Sequence, residues 1–462
     1  VLQFTNLHDT PAASQDFHRE RRLTMNMSIH HPYNRAARAL RRSAIVLAAG
    51  LLLAGCGGGG TGANGQDPDP LVLDYGIAYV KRPLAVDPNT ATTLQPDIRN
   101  QESFPAPDGY TPGGDLYYRD LAAPGAPERN VTGALTGGLG DVKDVDVSYK
   151  DMTKDTRLLF AMHMPVTDPQ NPPTWNLWEY NITTGTLVSV LPAGITAEAG
   201  EDMAPHYLPD GRIIFVSTRQ RQEKATLLDE GKSQFAALDE DRHDHALVLH
   251  VAEVTRDPVT GDINGFVDIH QVSMNQSHDF NPTVLDTGEV LFSRWDHMGG
   301  VNAISLYTMH PDGSELHPFY GLHSHATGTN GADVQFLQPR QLLDGNLMAL
   351  VLPFSGTWRG GDLQLIDVAD YTDNDVATAA NQGVLFGPAQ RSLAVNPVHT
   401  DGSISPGGYY RSAWPLYDGT NRMLVSWSAC RVVLNARVLP CTPANLADPT
   451  AVAADPIYGI FL

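Results

Sequence analysis

The chain has 462 residues, with 31 Lys and Arg against 52 Asp and Glu and a formal net charge of −21. Seven Arg and three acidic residues fall within residues 1–55, so the rest sets 24 basic against 49 acidic groups. That balance, near −25, argues against nucleic acid or an anionic lipid surface as partner, and 42 Gly and 33 Pro suit many short strands joined by turns.

Residues 1–24 show no periodicity, and Met25 or Met27 is a more natural start, so this stretch is set aside from fold reasoning. Arg35, Arg38, Arg41 and Arg42 then precede the apolar run from Ala44 to Ala54, too short to span a bilayer and right for a signal-peptide core. The run closes on Leu53-Ala54-Gly55-Cys56. These four positions resemble the bacterial lipobox, which implies cleavage before Cys56 and lipidation of its thiol; a plain secretory signal with an incidental cysteine is the alternative. Twin-arginine export fits less well, because Ala44 stands where that pattern takes a large apolar residue. With Gly57 and not Asp after the cysteine, the resemblance implies the outer membrane, facing the periplasm. Residues 56–70 then form a lipidated cysteine and a Gly-rich tether of roughly 20 Å. The folded domain is expected over residues 71–462.

Strand signals begin with residues 74–80, 114–118 and 130–132, then 144–148, 157–161, 176–180 and 186–190. Four short strands per group is the content of a propeller blade. The later groups open on a repeat: Pro205, Leu208, Asp210 and Gly211; Pro282, Leu285 and Gly288; Pro339, Leu342, Asp344 and Gly345; and a shortened Pro415, Asp418 and Gly419. Each repeat reads as a Pro-containing approach, a Gly-tipped turn and a strand with apolar residues at every second position, as in Ile213 to Ser217. Outer strands are expected at 246–250, 304–308 and 362–366. The Pro-to-Pro spacings of 77, 57 and 76 residues exceed a compact blade, so insertions are placed at about 220–245 and 368–409. The first contains helical pieces, Glu223 to Glu230 and Phe235 to Leu238. The fold class is all-β, a propeller of six or seven four-stranded blades, with the last incomplete because the chain stops inside a strand signal at Leu462.

The segments from Pro205 to Arg219 and from Asn176 to Gly185 resemble the repeats of TolB-type β-propellers. Together with Arg219 to Gln222, Leu228 to Gly231 and Thr400 to Arg431, they resemble bacterial proteins related to the hydrazine synthase alpha subunit, over about residues 75–462. That resemblance implies the fold. It implies a c-type haem enzyme only in part, since no Cys-x-x-Cys-His occurs in this chain.

The chain carries few motifs of known chemistry. Gly-x-Ser-x-Gly and His-Glu-x-x-His do not occur, and Gly231-Lys232-Ser233 has Thr226 where a phosphate-cradling loop needs glycine. His243 and His245 alternate as metal ligands on a strand can, as do His323 and His325, yet two ligands without a third also describe a solvated loop. Asp202 and Asp279 each stand three residues before a repeat proline, with His206 and His278 close by. They are candidates to converge on the central channel, where carboxylates can hold a divalent cation, or else to cap turns. Cys430 and Cys441 remain for a disulfide once Cys56 is lipidated.

The reading that follows is a lipid-anchored envelope propeller that binds a protein or small ligand, with no catalytic residue assigned. Its binding surface is expected where the inner strands begin, with the 220–245 insertion as rim. The acidic balance points to a cation or a basic partner. The alternative is the propeller part of a haem-dependent envelope oxidoreductase whose haem domain lies outside this chain.

Overall fold

The computed structural model describes residues 2–5 and 75–462, apart from 88, 91, 100–109, 150–154, 192–199, 241, 243 and 382. Cys56, its tether and His243 lie outside the described residues.

The repeated turn builds the sheets. Gly211 N–H donates to the Leu208 carbonyl (3.0 Å), and Leu208 N–H donates to the Arg212 carbonyl (2.8 Å). Leu285 with Gly288 and Glu289, and Leu342 with Gly345 and Asn346, repeat both bonds within 0.1 Å of those lengths. Gly211, Gly288 and Gly345 have φ of 93°, 87° and 86°, a conformation that a Cβ disfavours, which is why glycine recurs there.

Each turn joins the first two strands of an antiparallel sheet. The first sheet is β1 (Leu2–Thr5), β2 (Gly76–Lys81), β3 (Asp115–Arg119) and β4 (Arg129–Asn130). The second is β5 (Asp141–Val147), β6 (Arg157–His163), β7 (Trp175–Asn181) and β8 (Leu187–Ser189). The third is β9 (Asp202–Tyr207), β10 (Ile213–Ser217), β11 (Val248–Arg256) and β12 (Ile263–Gln271). The fourth is β13 (Asp279–Val284), β14 (Val290–Asp296), β15 (Ala303–Met309) and β16 (His317–Tyr320). In the fifth, β17 (Gln335–Gln341), β18 (Leu347–Leu352) and β19 (Asp362–Ile366) are followed by a small hairpin, β20 (Tyr371–Asp373) and β21 (Val376–Ala377). Its outer strand, β22 (Gln390–Ser392), comes from the expected 368–409 insertion. The sixth pairs β23 (Tyr409–Pro415) and β24 (Met423–Ser428) with β28 (Gly459–Phe461). Between them, β25 (Arg431–Leu434), β26 (Arg437–Pro440) and β27 (Val452–Ala453) make a separate small sheet. The all-β expectation holds, and the serial four-stranded sheets give a propeller-type fold.

Several details differ from the sequence reading. The second strands do not alternate: every residue of β10 and β18 is buried, since these strands are packed on both faces by neighbouring sheets. Leu2–Thr5, in the stretch set aside, pairs antiparallel with β2. Of the two helical pieces in the first insertion, Arg221–Asp229 forms a helix, while Leu238 bridges to His245 in extended form.

The repeat prolines lie within the inner strands. Pairing slips between Lys143 and Asp146, at Ala204–Pro205, at Asn281–Pro282, at Gln338–Pro339 and between Tyr410 and Ser412. Asp144, Ala204, Asn281 and Gln338 occupy these bulges at φ of 56°, 47°, 46° and 51°. A proline fits there because a bulged residue donates no ladder hydrogen bond. Pro415 is not the equivalent proline. Counting back from the turn residue Leu416, which donates to Arg422, Ser412 matches Ala204 and Ala413 matches Pro205.

The core lies between sheets. Leu116 and Tyr118 pack with Phe160 and Met162; Leu159 and Trp175 pack with Tyr207 and Phe215; Leu291 and Leu306 pack with Phe336 and Ala349. A further cluster joins Ile77 and Tyr79 of β2 to Leu416 and Leu424 at the sixth sheet. Each fully buried Phe contributes about 2–3 kcal/mol from the area removed from water. One buried ionic cluster ties the second sheet to the third. Glu179 accepts from Arg256 Nη1 and Nη2 (2.8 Å each) and from the Tyr207 hydroxyl (2.7 Å).

Candidate functional site

The five bulges come together. Asp144, Ala204, Asn281, Gln338 and Ser412 form a waist between two cavities. The larger, about 270 Å³, lies where the inner strands begin, and it is lined by Lys143, Met203, Phe280 and Leu337, one residue before the positive-φ bulge residues, and by Arg411, which the pairing skips in the sixth sheet. The smaller, about 50 Å³, is lined two residues after the bulges by Asp146, His206, Arg340 and Trp414. One repeating backbone irregularity therefore aims equivalent side chains from five sheets at one space.

Side chains of the waist also tie neighbouring strands. Asp144 accepts from Ala204 N–H (3.1 Å), and Asp146 accepts from Tyr207 N–H (2.8 Å). Asn281 accepts from Gln338 N–H (3.4 Å). In the small cavity the Asp146 carboxylate lies 3.0 Å from His206 Nδ1, and the Arg340 guanidinium stacks over the Trp414 ring at 4.5 Å.

Two further segments complete the wall of the larger cavity. Arg82 follows β2 and reaches Asp141, with both carboxylate oxygens engaged and Nε at 2.6 Å. Trp358 and Arg359 sit on a loop after β18 with consecutive φ of 51° and 57°, a backbone strain of the kind that clusters at ligand sites. Gly361 holds that loop against β18, where a Cβ would meet the Val351 carbonyl at 2.3 Å. Tyr458, just before β28, also faces the cavity.

The expected site residues do not gather there. Asp202 is fully buried and accepts from Arg219 Nε (2.9 Å), Arg219 Nη2 (2.7 Å) and the Ser217 hydroxyl (2.7 Å). Asp279 is equally buried, accepting from Ser273 (2.5 Å) and Asn275 (3.1 Å) with Arg294 at 3.7 Å. Burial pushes both carboxyls up in pKa, and the paired arginine pulls each back. Matching positions on neighbouring sheets thus hold separate local pairs and not a ring, and each carboxylate binds side chains where a turn cap would bind backbone. His278 is buried with Nδ1 accepting from Leu247 N–H (3.1 Å) and Nε2 toward Asp239 (3.5 Å). Of the four candidates only His206 reaches the opening.

His245 is exposed on its loop, and His325 is held between the Ser305 hydroxyl (3.1 Å) and the Val334 carbonyl (2.6 Å). Among the described residues no group of three or more His, Cys, Asp or Glu is placed to hold a metal ion. None of the described residues of the 220–245 insertion lines either cavity. Its helix packs on the outer strand β12, with Gln222 N–H donating to Gln271 (2.9 Å). Cys430 and Cys441 bracket the β25–β26 hairpin, with Cα atoms 5.5 Å apart and sulfurs bonded.

Sequence reasoning missed Lys143, Arg359 and Arg411. The signal was available for two of them, Lys143 and Arg411: each keeps the same spacing to its turn residue as Met203, Phe280 and Leu337, a basic residue where those copies are apolar. These side chains give the wall a sign opposite to the chain's overall charge.

No protein-family model and no curated protein sequence matches the chain. Among solved structures it is similar to hydrazine synthase of Kuenenia stuttgartiensis, with TM-score 0.48 and 17% identity over 79% of this chain and 45% of that one. It is also similar to PorZ, a type IX secretion component of Porphyromonas gingivalis (TM-score 0.35, 13% identity, 69% of this chain, 36% of that one). A third is oligogalacturonate lyase from Vibrio parahaemolyticus (TM-score 0.32, 11% identity, 78% of this chain, 83% of that one). The chain therefore spans less than half of the first two proteins.

Proposed function

We propose that this chain is a ligand-binding propeller of six blades, held in the bacterial envelope by lipid on Cys56 and facing the periplasm. The observation that carries the binding reading is the convergence of five bulged inner strands on one cavity where those strands begin. A rigid wall that presents polar side chains into a partly enclosed space is the usual form of a small-molecule site. The shared cluster of Ile77, Tyr79, Leu416 and Leu424 supports closure between first and sixth sheets, as does the contact of β1 with both β5 and β23.

Two measurements test this. Radiolabelled palmitate should enter the wild type and not Cys56→Ala, and equal labelling of both would remove the anchor. A library of neutral and charged small molecules should contain compounds that saturably change the fluorescence of Trp358, identified by comparison with Trp358→Phe. The change should vanish in Ser412→Phe, which puts a ring into the cavity. If no compound of any charge gives such a change, the cavity is not a ligand site.

A further inference from the structure

Resting on the reading of the cavity as a ligand site, the geometry points to a small organic anion bearing two or more carboxylate or phosphate groups as its occupant. The wall carries four cations, Arg82, Lys143, Arg359 and Arg411. Against them stand Asp144 on the wall and Asp141, which pairs with Arg82, leaving two positive charges in excess inside a chain of net charge −21. Among the described residues Lys143 and Arg411 form no ion pair. The Lys143 ammonium lies 4.2 Å over the Trp175 ring, and Arg411 Nη1 donates to the Arg359 carbonyl (2.9 Å).

These charges also strain one another. Burial, with Arg82 and Arg359 nearby, lowers the Lys143 ammonium to about 8, offset in part by Asp144. Burial, then Arg411 and Arg82, lowers the Arg359 guanidinium to about 9. A multivalent anion between them relieves both the repulsion and the lost hydration.

The hydrogen-bonding groups agree in sign. Trp358 Nε1, the Ser412 hydroxyl and the Tyr458 hydroxyl are buried on this wall with no hydrogen-bond partner among the described residues. Indole and guanidinium groups only donate, so they cannot serve a cation, whereas carboxylate and phosphate oxygens accept from all of them. The guanidinium forks suit two oxygens each. A space of about 270 Å³ admits a small molecule and not a polymer.

The test is Trp358 fluorescence and calorimetry on the folded chain at low salt, with citrate and fructose 1,6-bisphosphate as probes and glucose and Ca²⁺ as comparators. Saturable binding of citrate or of the phosphate ester is expected, and the tighter of the two assigns the oxyanion. Arg411→Gln should weaken it roughly tenfold or more, the scale of one hydrogen bond to a charged group, and Arg411→Lys should weaken it less. Affinity should fall with added salt. It should also fall as pH rises through about 8, where Lys143, facing Asp141, Asp144, Arg82, Arg359, His163 and Trp175, loses its proton. Binding of glucose or Ca²⁺ in place of the anions overturns the proposal while leaving the cavity a ligand site. Anion binding unchanged in both Arg411→Gln and Lys143→Met, each folded by circular dichroism, moves the anion elsewhere and also overturns it. Failure of all four compounds also overturns it, while the ligand-site reading is decided by the library.

Discussion

Replacing Asp202 by Asn separates the two roles that a buried carboxylate at a repeat position can have. The carboxylate is fully buried and carries a bidentate bond to Arg219, itself 5% exposed, and a bond from Ser217. The amide keeps one acceptor and loses the charge, so the guanidinium loses its carboxylate partner in a nearly closed site. Breaking a buried pair from one side costs about 3–5 kcal/mol. For a domain of roughly 400 residues the unfolding entropy near 2.1 cal/mol/K per residue converts that loss into a fall of about 4–6 °C in Tm. Calorimetry on the wild type, Asp202→Asn, Arg219→Met and the double variant Asp202→Leu with Arg219→Met gives the comparison. The double variant should recover most of the loss, because no charge is then orphaned. A Tm for Asp202→Asn within 1 °C of wild type, or additive losses in the double variant, would refute the pairing argument. Loss of bound metal from a folded Asp202→Asn would restore the cation reading.

Gly211→Ala tests the turn alone. No atom lies within 4 Å of the added Cβ and φ is 93°, so a loss of about 1–2 kcal/mol in denaturant unfolding is expected from backbone strain only. Cys430→Ser opens a loop with a sequence separation of 11 and should cost about 3 kcal/mol at most by chain entropy. Non-reducing peptide mapping should show both thiols of the wild type protected, and alkylation without reductant would sink the bridge. Burial raises the Asp362 carboxyl to about 6, against accepted bonds from Ser392 and Gln364. Its folded pKa then exceeds the unfolded one, so the ionised form opposes folding above pH 6, and stability is recovered as pH falls from about 6 to 4. Asp362→Asn should flatten that slope by up to about 3 kcal/mol in paired pH-dependent unfolding curves.

The hairpins were legible because their cause is local. Leu208, Gly211 and the apolar run after them set a turn and a strand through φ and side-chain period alone, and the same holds at Leu285 and Leu342. The all-β class follows from repeating such units. Both-sided burial of β10 and β18 was not legible as alternation, since a strand covered by two sheets has no polar face to write. The acidic composition is likewise a sum over the whole chain, which does not say which side chains line one cavity. Sequence spacing put Asp202 and Asp279 at equivalent places correctly, but equivalence within a sheet does not say which way a side chain faces. That direction is decided by the bulge. One extra residue per inner strand turns Asp144, Ala204, Asn281 and Gln338, and in the sixth sheet Arg411 with Ser412, toward a common space and leaves Asp202 and Asp279 behind with their own arginines. Lys143, Arg359 and Arg411 meet only because strands far apart in sequence are wrapped side by side, so their summed charge belongs to the tertiary structure and to no single segment of the chain.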